Sequence, residues 1–600
     1  MKRHSPVLCV MLYLLGVWPV IAASPSAFQY ISPLPGSTFV SRETNIIIRP
    51  GDPIDRNSIS DGDIQVMGET SGRHAGDLIL SDDTQTLVFA PTSGFTDGEK
   101  VTVTLAGGIR FLNKVPVPGI RFSFTITTTP REVQARRVST IDPGVDAGQF
   151  LTWQPQLGSF LDSLPQDFPP ISVSVSDNPF PGYIFLSNIA FDPTVTTTPY
   201  LMVLDNGAHP VFYRRLGGFA LDTKVQPNGL ITYYDTSVNC FVEADTSFDD
   251  SVLFRCGNGY VTDAHELRVL QNGHALLLGQ DYETVRMDTI VPGGHPRALV
   301  IGAVIQELDR AGNVVFQWRS WDHYNITDAT HEDLTDTVID YVHANALEAD
   351  NDGNILLSSR HMDEITKIDR QTGDIIWRLG GKHNEFTFVG DTIGFSHQHA
   401  IRRLSNGDIT LFDNGNFHNP PFSRAVEYRL DEVNRTATLI WQYRNHPDIY
   451  SVAMGYVQRL DSNNTLIGWG GTSPAVTEVR ADGSKALEIG LPPGVYSYRA
   501  FLFPSVGNAR LVPAAYNVQQ NYPNPFNPTT SIKYSLPQDS YVALDVYNVL
   551  GQRITQLVNE QQRTGQHEVT FNGSNLGSGV YFYRLATTGF TSVKKMLLLK

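Results

Sequence analysis

The chain has 600 residues, of which 41% are hydrophobic, so it is long enough for several domains with cores of their own. Its 61 acidic and 45 basic residues give a formal net charge of −16, and no basic stretch offsets that charge. The balance excludes nucleic acid as a partner, and it requires any anionic ligand to find a local positive site.

Residues 1–23 are predicted to be a secretory signal peptide. Two basic residues precede an apolar run at 7–17, and the small residues Ala22 and Ala23 follow it. The run is shorter than a bilayer span, so we expect no membrane span after cleavage. An uncleaved anchor is the alternative.

Residues 28–130 are predicted to form a small β-sandwich. The segment 86–105 contains two β-rich runs around a Gly/Asp turn, and the whole stretch resembles bacterial Ig-like modules. This resemblance implies support or spacing rather than chemistry. Residues 131–180 lack periodicity and are rich in Pro, Asp and Ser, which predicts a linker.

Two cysteines remain after the signal peptide, Cys240 and Cys256. The sequence between them predicts a hairpin with the cysteines at facing ends. Export to an oxidising space favours a disulfide between its strands. Two free thiols are the alternative.

Residues 181–503 contain a loose repeat in which apolar strands flank a tight turn. Four-stranded units of this length are typical of propeller blades, and about six fit the segment. Ring closure would remove the exposed sheet edges, so we predict a six-bladed β-propeller. An open β-solenoid is the alternative. The turns that mark the repeat are Asn228-Gly229, Asn272-Gly273, Asp352-Gly353, Asn406-Gly407 and Asn463-Asn464.

Residues 516–600 form a separate tail, predicted as a second β-sandwich. The motifs Asn521-Tyr-Pro-Asn-Pro-Phe-Asn-Pro-Thr-Thr530, Val546-Tyr-Asn-Val-Leu-Gly-Gln552 and Gly579-Val-Tyr-Phe-Tyr-Arg-Leu585 resemble the C-terminal sorting domain of type IX secretion substrates. The resemblance implies the type IX machinery as a partner and a location in the medium or on the cell surface.

Three successive repeats place a histidine at nearly the same position. His265 precedes its turn glycine by eight residues, His343 by ten and His399 by eight. If the repeats are blades, these imidazoles converge on one axial site. The alternative is that they are structural histidines bonded to nearby backbone.

Asn345 follows His343 by two residues, and Arg360 ends the strand predicted to pair with it. Together with the imidazoles, these side chains can surround a compact oxyanion, and one imidazole can act as a nucleophile. His361 should point to the opposite face if its strand continues. There is no Gly-rich phosphate loop and no Gly-x-Ser-x-Gly elbow, so nucleotide and serine-hydrolase functions have no support.

Residues 181–490 resemble the bacterial arylsulfotransferases, which are six-bladed propellers. The resemblance implies transfer of a sulfuryl group from a phenolic sulfate ester to a phenol through a sulfated histidine, without a nucleotide donor, cofactor or metal. It implies His399 as the nucleophile and His265, His343, Asn345 and Arg360 as the residues around it. The segments that carry it are Asp263-Ala-His-Glu-Leu-Arg-Val-Leu-Gln-Asn-Gly, His343-Ala-Asn-Ala-Leu and Phe395-Ser-His-Gln-His-Ala-Ile-Arg.

Other interpretations of the same residues stay open. His397 lies two residues before His399, so either could attack. A metalloenzyme would use His265, His343 and His399 as ligands, since three histidines leave an open position on a metal. A non-catalytic secreted binding propeller and a hydrolase of aryl sulfates are the further alternatives.

Overall fold

A computed structural model describes residues 27–60, 62–129, 164–190, 192, 194–245, 250–461, 463–504, 516–518, 520–521, 523–536, 540–562, 565–587 and 590–600. The predicted signal peptide and most of the predicted linker lie outside these ranges. In the described ranges no helix is both long and apolar enough to cross a bilayer. These residues are almost wholly β, as the sequence predicts.

The first compact unit ends at Thr127 and consists of two four-stranded antiparallel sheets. Buried and more exposed residues alternate along Ile64–Gly68 and Lys100–Leu105 of one sheet. Side chains of both sheets pack into one buried apolar cluster. The sheet orders are β1-β2-β6-β5 and β4-β3-β7-β8. The strands are Tyr30–Ser32 (β1), Ile46–Arg49 (β2), Ile64–Gly68 (β3), Gly72–His74 (β4), Gly76–Leu80 (β5), Leu87–Pro91 (β6), Lys100–Leu105 (β7) and Ile120–Thr125 (β8).

Within the second unit, the described residues of 172–504 form six sheets that follow one another along the chain. Their strands are Ser172–Ser176 (β9), Gly182–Ser187 (β10), Tyr200–Asp205 (β11), Pro210–Arg215 (β12), Ala220–Val225 (β13), Ile231–Asp235 (β14), Cys240–Ala244 (β15), Asp250–Phe254 (β16), Val261–Val269 (β17), Ala275–Val285 (β18), Ala298–Leu308 (β19), Val314–Arg319 (β20), Val338–Asp340 (β21), Ala344–Ala349 (β22), Ile355–Ser359 (β23), Glu364–Ile368 (β24), Ile375–Gly380 (β25), Thr387–Val389 (β26), His399–Arg403 (β27), Ile409–Asp413 (β28), Arg424–Asp431 (β29), Thr436–Tyr443 (β30), Tyr456–Arg459 (β31), Thr465–Gly468 (β32), Val476–Val479 (β33), Lys485–Gly490 (β34) and Ala500–Pro504 (β35).

Each sheet is built around four antiparallel strands. The first is β12-β11-β10-β35, the second β13-β14-β15-β16, the third β17-β18-β19-β20, the fourth β22-β23-β24-β25, the fifth β30-β29-β28-β27 and the sixth β31-β32-β33-β34. Three strands are added to this plan: β21 pairs with β19, β26 with β30, and β9 with β34. The short helix α1 is Ser320–His323, and single 3-10 turns occur at Arg56–Ser58, Met287–Thr289, Ile326–Asp328 and Arg360–Met362.

The predicted tight turns join the first two strands of five of these sheets. Their four glycines have positive φ values of 81° to 90°, a left-handed conformation that glycine adopts without a steric cost. Asn463 takes the same role in the sixth sheet, with φ of 64°. The repeat seen in the sequence therefore marks one sheet after another.

Strand β35 comes from the end of this unit and pairs with β10 at its start. It also contacts β13 and β31, the first strands of the second and sixth sheets. Just before β35, the buried Arg499 donates to Asp222 at 2.6 Å and to Glu266 at 2.8 Å. Glu266 also accepts from Lys224 and from Arg402. One buried ionic network therefore ties the end of the segment to β13, β17 and β27.

The C-terminal strands form two further sheets, β36-β37-β40 and β39-β38-β41-β42. They share a buried apolar cluster that includes Ile532, Leu544 and Tyr583. The strands are Asn517–Val518 (β36), Thr529–Leu536 (β37), Ser540–Asn548 (β38), Arg553–Gln562 (β39), Gly565–Asn572 (β40), Gly579–Thr587 (β41) and Phe590–Leu598 (β42).

The predicted disulfide is absent, because Cys240 and Cys256 are free thiols. The hairpin itself forms from β15 and β16, and Phe241 pairs with Phe254 across it. This register places Cys240 opposite Arg255, so Cys256 lies one residue further along. A shift of one residue turns a side chain to the other face of a sheet, and the two sulfur atoms do not meet.

We expect Arg499→Met to lower the free energy of unfolding by about 3–5 kcal/mol, because it removes one of the two cations that the buried carboxylates of Asp222 and Glu266 share, and Lys224 alone is left to pair with both. Arg480→Met is the matched control, since Arg480 pairs with Asp177, whose side chain is 74% exposed. The control should cost less than about 1 kcal/mol. Urea unfolding followed by circular dichroism measures both, and equal effects would contradict the role given to Arg499.

Candidate functional site

His265 and Asp263 lie two residues apart on β17. The Nδ1 atom of His265 is 2.6 Å from Oδ1 of Asp263, and the backbone amide of His265 donates to the same oxygen at 2.8 Å. Burial lowers the pKa of His265, but the charge and hydrogen bond of Asp263 outweigh it, so the pKa is raised overall. The carboxylate therefore fixes Nδ1 as a donor and leaves Nε2 for other contacts.

His343 has the same kind of partner. It lies between β21 and β22 in a left-handed conformation, with φ of 47°. Its Nδ1 atom is 2.8 Å from Oδ2 of Asp340, and its backbone amide donates to the other carboxylate oxygen at 2.9 Å. The rings of His343 and His265 meet edge to face with centroids 5.0 Å apart. Two histidines from neighbouring sheets thus lie in contact.

Arg360 and His361 lie side by side in the turn after β23. The sequence prediction that His361 faces away is wrong, because the strand ends at Ser359 and a 3-10 turn follows, with Asp363 left-handed at φ of 51°. The Nη1 atom of Arg360 is 2.6 Å from Nε2 of His361. The His361 ring lies 4.6 Å from that of His343. His361 is therefore part of the site.

His399 begins β27 and is 1% exposed. Its Nδ1 atom is 2.7 Å from the amide oxygen of Asn414, and its Nε2 atom accepts from the backbone amide of Met454 at 3.2 Å. Burial, followed by the nearby charge of Arg360, holds its pKa well below the ordinary value. His399 is therefore neutral, with its proton on Nδ1 and its lone pair on Nε2.

Asn345 is fully buried, and its amide bonds to backbone rather than facing the imidazoles. It donates to the carbonyl of Gln398 at 2.7 Å and accepts from the amide of Ala400 at 3.4 Å. These groups flank His399. The structure thus places Asn345 where it holds the backbone on both sides of His399.

His397 is also buried, with φ of 51°. Neither of its ring nitrogens has a hydrogen-bond partner among the described residues. Its ring lies 5.5 Å from that of His361 and 4.8 Å from that of Phe417. Burial, with the charge of Arg360 next, lowers its pKa to about 2, so His397 is neutral as well.

The sequence prediction missed three members of the site: Asp263, Asp340 and His361. The two aspartates leave a readable signal, because each precedes its histidine by two or three residues. A recess beside the imidazoles is lined by Asp263, His265, Gln280, Gly302, Asp340 and His343. It borders both aspartate–histidine pairs.

Asp340, His343 and His361 come closest to a metal-binding set, with one ligand atom of each within 4.8 Å of the others. Both nitrogens of His361 are engaged, however, since Nδ1 faces the carbonyl of Asp340 and Nε2 faces Arg360. A guanidinium at this distance repels a cation and attracts an anion. The arrangement therefore suits a compact oxyanion better than a metal ion.

Residues 246–491 match the arylsulfotransferase family model. This range includes all five predicted site residues, so the arylsulfotransferase resemblance is confirmed for the part of the chain that carries the imidazoles. Residues 520–599 match the secretion system C-terminal sorting domain. The tail therefore marks the protein for type IX export to the cell surface or the medium.

Curated relatives match over a shorter stretch. The chain is 33% identical over 85 residues to the arylsulfate sulfotransferase AssT of Escherichia coli, and 31% identical over 85 residues to that of Lelliottia amnigena. Each match covers 12% of this chain and 14% of the relative. Among solved structures, a protein of unknown function from Bacteroides caccae is 14% identical, with a TM-score of 0.33 over 51% of this chain and 93% of that one. This score is too low to support an argument.

We expect Asp263→Asn to lower the pKa of His265, because burial would then act without the opposing charge. Diethyl pyrocarbonate modifies neutral imidazoles, so the pH of half-maximal modification of His265, mapped by mass spectrometry, should move down. Asp482→Asn, at an exposed turn, is the control and should leave it unchanged. An unchanged or higher value in Asp263→Asn would contradict the pairing.

Proposed function

We propose that residues 181–503 close into a six-bladed β-propeller, flanked by an Ig-like sandwich at 28–130, a linker at 131–180 whose last part adds β9 to the sixth sheet, and the sorting domain at 516–600. The pairing of β35 with β10 supports closure, because it joins the end of this segment to its beginning. The contacts of β35 with β13 and β31 point the same way. In such a ring the first strands of the sheets surround a shared axis.

We propose that this propeller is an aryl-sulfate sulfotransferase. It would move a sulfuryl group from a phenolic sulfate ester to a phenol through a sulfated histidine, without a nucleotide donor. The observation that carries this proposal is the meeting of two aspartate-paired imidazoles, three neutral imidazoles and one guanidinium within the segment that matches the arylsulfotransferases.

In the first half-reaction, Nε2 of neutral His399 attacks sulfur. A nitrogen–sulfur bond forms while the bond from sulfur to the phenolic oxygen breaks, and its electron pair leaves with that oxygen. Protonated His265 donates its proton to the leaving phenolate. Attack requires Nε2 to give up its contact with the Met454 amide, while Asn414 continues to hold the Nδ1 proton.

In the second half-reaction, an acceptor phenol passes its proton to His265 and attacks the same sulfur. The nitrogen–sulfur bond breaks, and its electron pair returns to Nε2 of His399. The negative charge on the three sulfuryl oxygens is met by Arg360 and His343 in both steps, and one well-placed donor of this kind is worth about 100-fold in rate. The enzyme regains its starting protonation after each cycle.

His397 is the second candidate nucleophile. The specific observation in its favour is that both of its ring nitrogens are unpartnered among the described residues, whereas both nitrogens of His399 are bonded. His399 has the better-defined tautomer, because Asn414 accepts its Nδ1 proton and directs the lone pair to Nε2. We therefore place the nucleophile at His399.

We expect His399→Ala to abolish transfer from 4-nitrophenyl sulfate to phenol. Mass spectrometry after brief exposure to the donor alone should find one added sulfuryl group, on His399. His383→Ala is the control, because that side chain is half exposed. A sulfuryl group on His397, with activity lost in His397→Ala and kept in His399→Ala, would move the nucleophile by two residues.

The same assay separates the remaining classes of function. A binding propeller would release no 4-nitrophenol, and a hydrolase would release it without any acceptor. A metalloenzyme would contain stoichiometric metal by elemental analysis and lose activity to chelators. Any of these results would overturn the sulfotransferase proposal.

A further inference from the structure

The guanidinium of Arg360 is held at two of its three nitrogens. Nη1 donates to Nε2 of His361 at 2.6 Å, and Nη2 donates to the carbonyl of Val452 at 3.0 Å. Nε is buried and has no partner among the described residues. A guanidinium has five N–H donors, so donors remain for a ligand while the orientation of the group is fixed.

The hydrogen-bond donors and acceptors around His361 determine its tautomer. Its Nδ1 atom faces the carbonyl oxygen of Asp340, which can only accept, so Nδ1 must carry the hydrogen. Nε2 lies 2.6 Å from Nη1 of Arg360 and 3.5 Å from Oε1 of Glu332. Arg360 can only donate, so the shorter contact requires Nε2 to supply the lone pair. Burial lowers the pKa of His361 to about 3, with the charge of His343 as the next cause, and this keeps the ring neutral.

His361 also connects the guanidinium to a second part of the site. The carbonyl of Asp340 accepts from His361, while the carboxylate of Asp340 holds His343. The His361 side chain is only 11% exposed, so it has little surface for contact with a substrate. Its contacts therefore suit holding other groups better than touching a ligand.

We propose that His361 is a positioning residue whose Nε2 atom holds the Arg360 guanidinium in the orientation that receives a compact oxyanion. The role in transfer rests on the sulfotransferase function proposed above, whereas the role in anion binding does not. An arginine fixed before the ligand arrives loses less side-chain freedom when it binds. Removal of the hydrogen-bond acceptor, Nε2 of His361, should therefore weaken the binding of the transition state by Arg360.

The test compares two amides that replace different atoms of the imidazole. In His361→Gln the side-chain oxygen reaches the Nε2 position and can accept from Arg360. In His361→Asn the amide reaches only the Nδ1 position and can bond the Asp340 carbonyl. We expect kcat/KM for 4-nitrophenyl sulfate to fall on the order of 10- to 100-fold in His361→Asn and by less than about 5-fold in His361→Gln. Rescue by Asn instead of Gln would overturn the proposal.

A double-mutant cycle with Arg360→Ala tests whether His361 acts through Arg360. If it does, His361→Asn should cost less than about 2-fold in the Arg360→Ala background, because effects that share one partner are not additive. An undiminished cost in that background would overturn the proposal. His383→Asn, at a half-exposed position, is the matched control. Thermal unfolding of each variant shows whether it folds.

Binding of inorganic sulfate separates this proposal from the catalytic one. If the wild-type protein transfers no sulfuryl group, the proposed function fails, but sulfate should still raise its unfolding temperature. We expect that rise to vanish in Arg360→Ala, to shrink in His361→Asn and to persist in His361→Gln. Equal rises in all four proteins would overturn the role of His361 in anion binding.

Discussion

The architecture depends on one buried carboxylate, that of Glu266, which accepts from three cations. Lys224 lies on β13, Arg402 lies on β27, and Arg499 directly precedes β35. Strands from distant parts of the chain therefore meet at the two carboxylate oxygens of Glu266. Burial raises the pKa of Glu266, but the cations outweigh it and hold the pKa far below its usual value. Because an unpaired buried charge costs several kcal/mol, these strands cannot separate without a large penalty. His265 lies on β17 and His399 begins β27, and these are two of the strands that the network joins.

The same network bears on how an acidic protein could hold an anion. Through Arg402 the network extends to Glu348, which also pairs with Arg268. Four basic side chains (Lys224, Arg268, Arg402 and Arg499) thus meet three carboxylates (Asp222, Glu266 and Glu348), which leaves one positive charge in excess. Near the imidazoles, the carboxylates of Asp263 and Asp340 each bond the ring and the backbone amide of a histidine. Their oxygens are therefore engaged by protein donors where an anion would approach. Electrostatic interactions fall off with distance and are screened by salt. A fixed guanidinium at contact distance therefore outweighs a diffuse net charge of −16.

The sequence predicts the features that repeat and fails where the repeat breaks. Glycines with positive φ leave a readable signal, so the turns and the phase of His265, His343 and His399 can be found without a structure. His361 could not be found, because alternation applies only while a strand continues, and β23 ends at Ser359. The roles of Asn345 and of the two cysteines depended on which backbone atoms face them, which is a matter of register. Register is set by tertiary packing that local patterns do not contain.

The environments of the histidines divide chemical roles among identical side chains. Asp263 accepts a hydrogen bond from Nδ1 of His265, and its charge raises the pKa of this imidazole, which can then act as an acid near neutral pH. In His399 and His361 the acceptor of the Nδ1 hydrogen bond is a neutral amide or carbonyl oxygen, so burial lowers the pKa and the ring stays neutral. A neutral ring can attack as a nucleophile or accept a hydrogen bond at Nε2. If it gave up the proton on Nδ1, it would lose the hydrogen bond that holds the ring in place. The choice of Nδ1 partner, more than the number of histidines, therefore decides which imidazole could move a proton and which could carry a sulfuryl group.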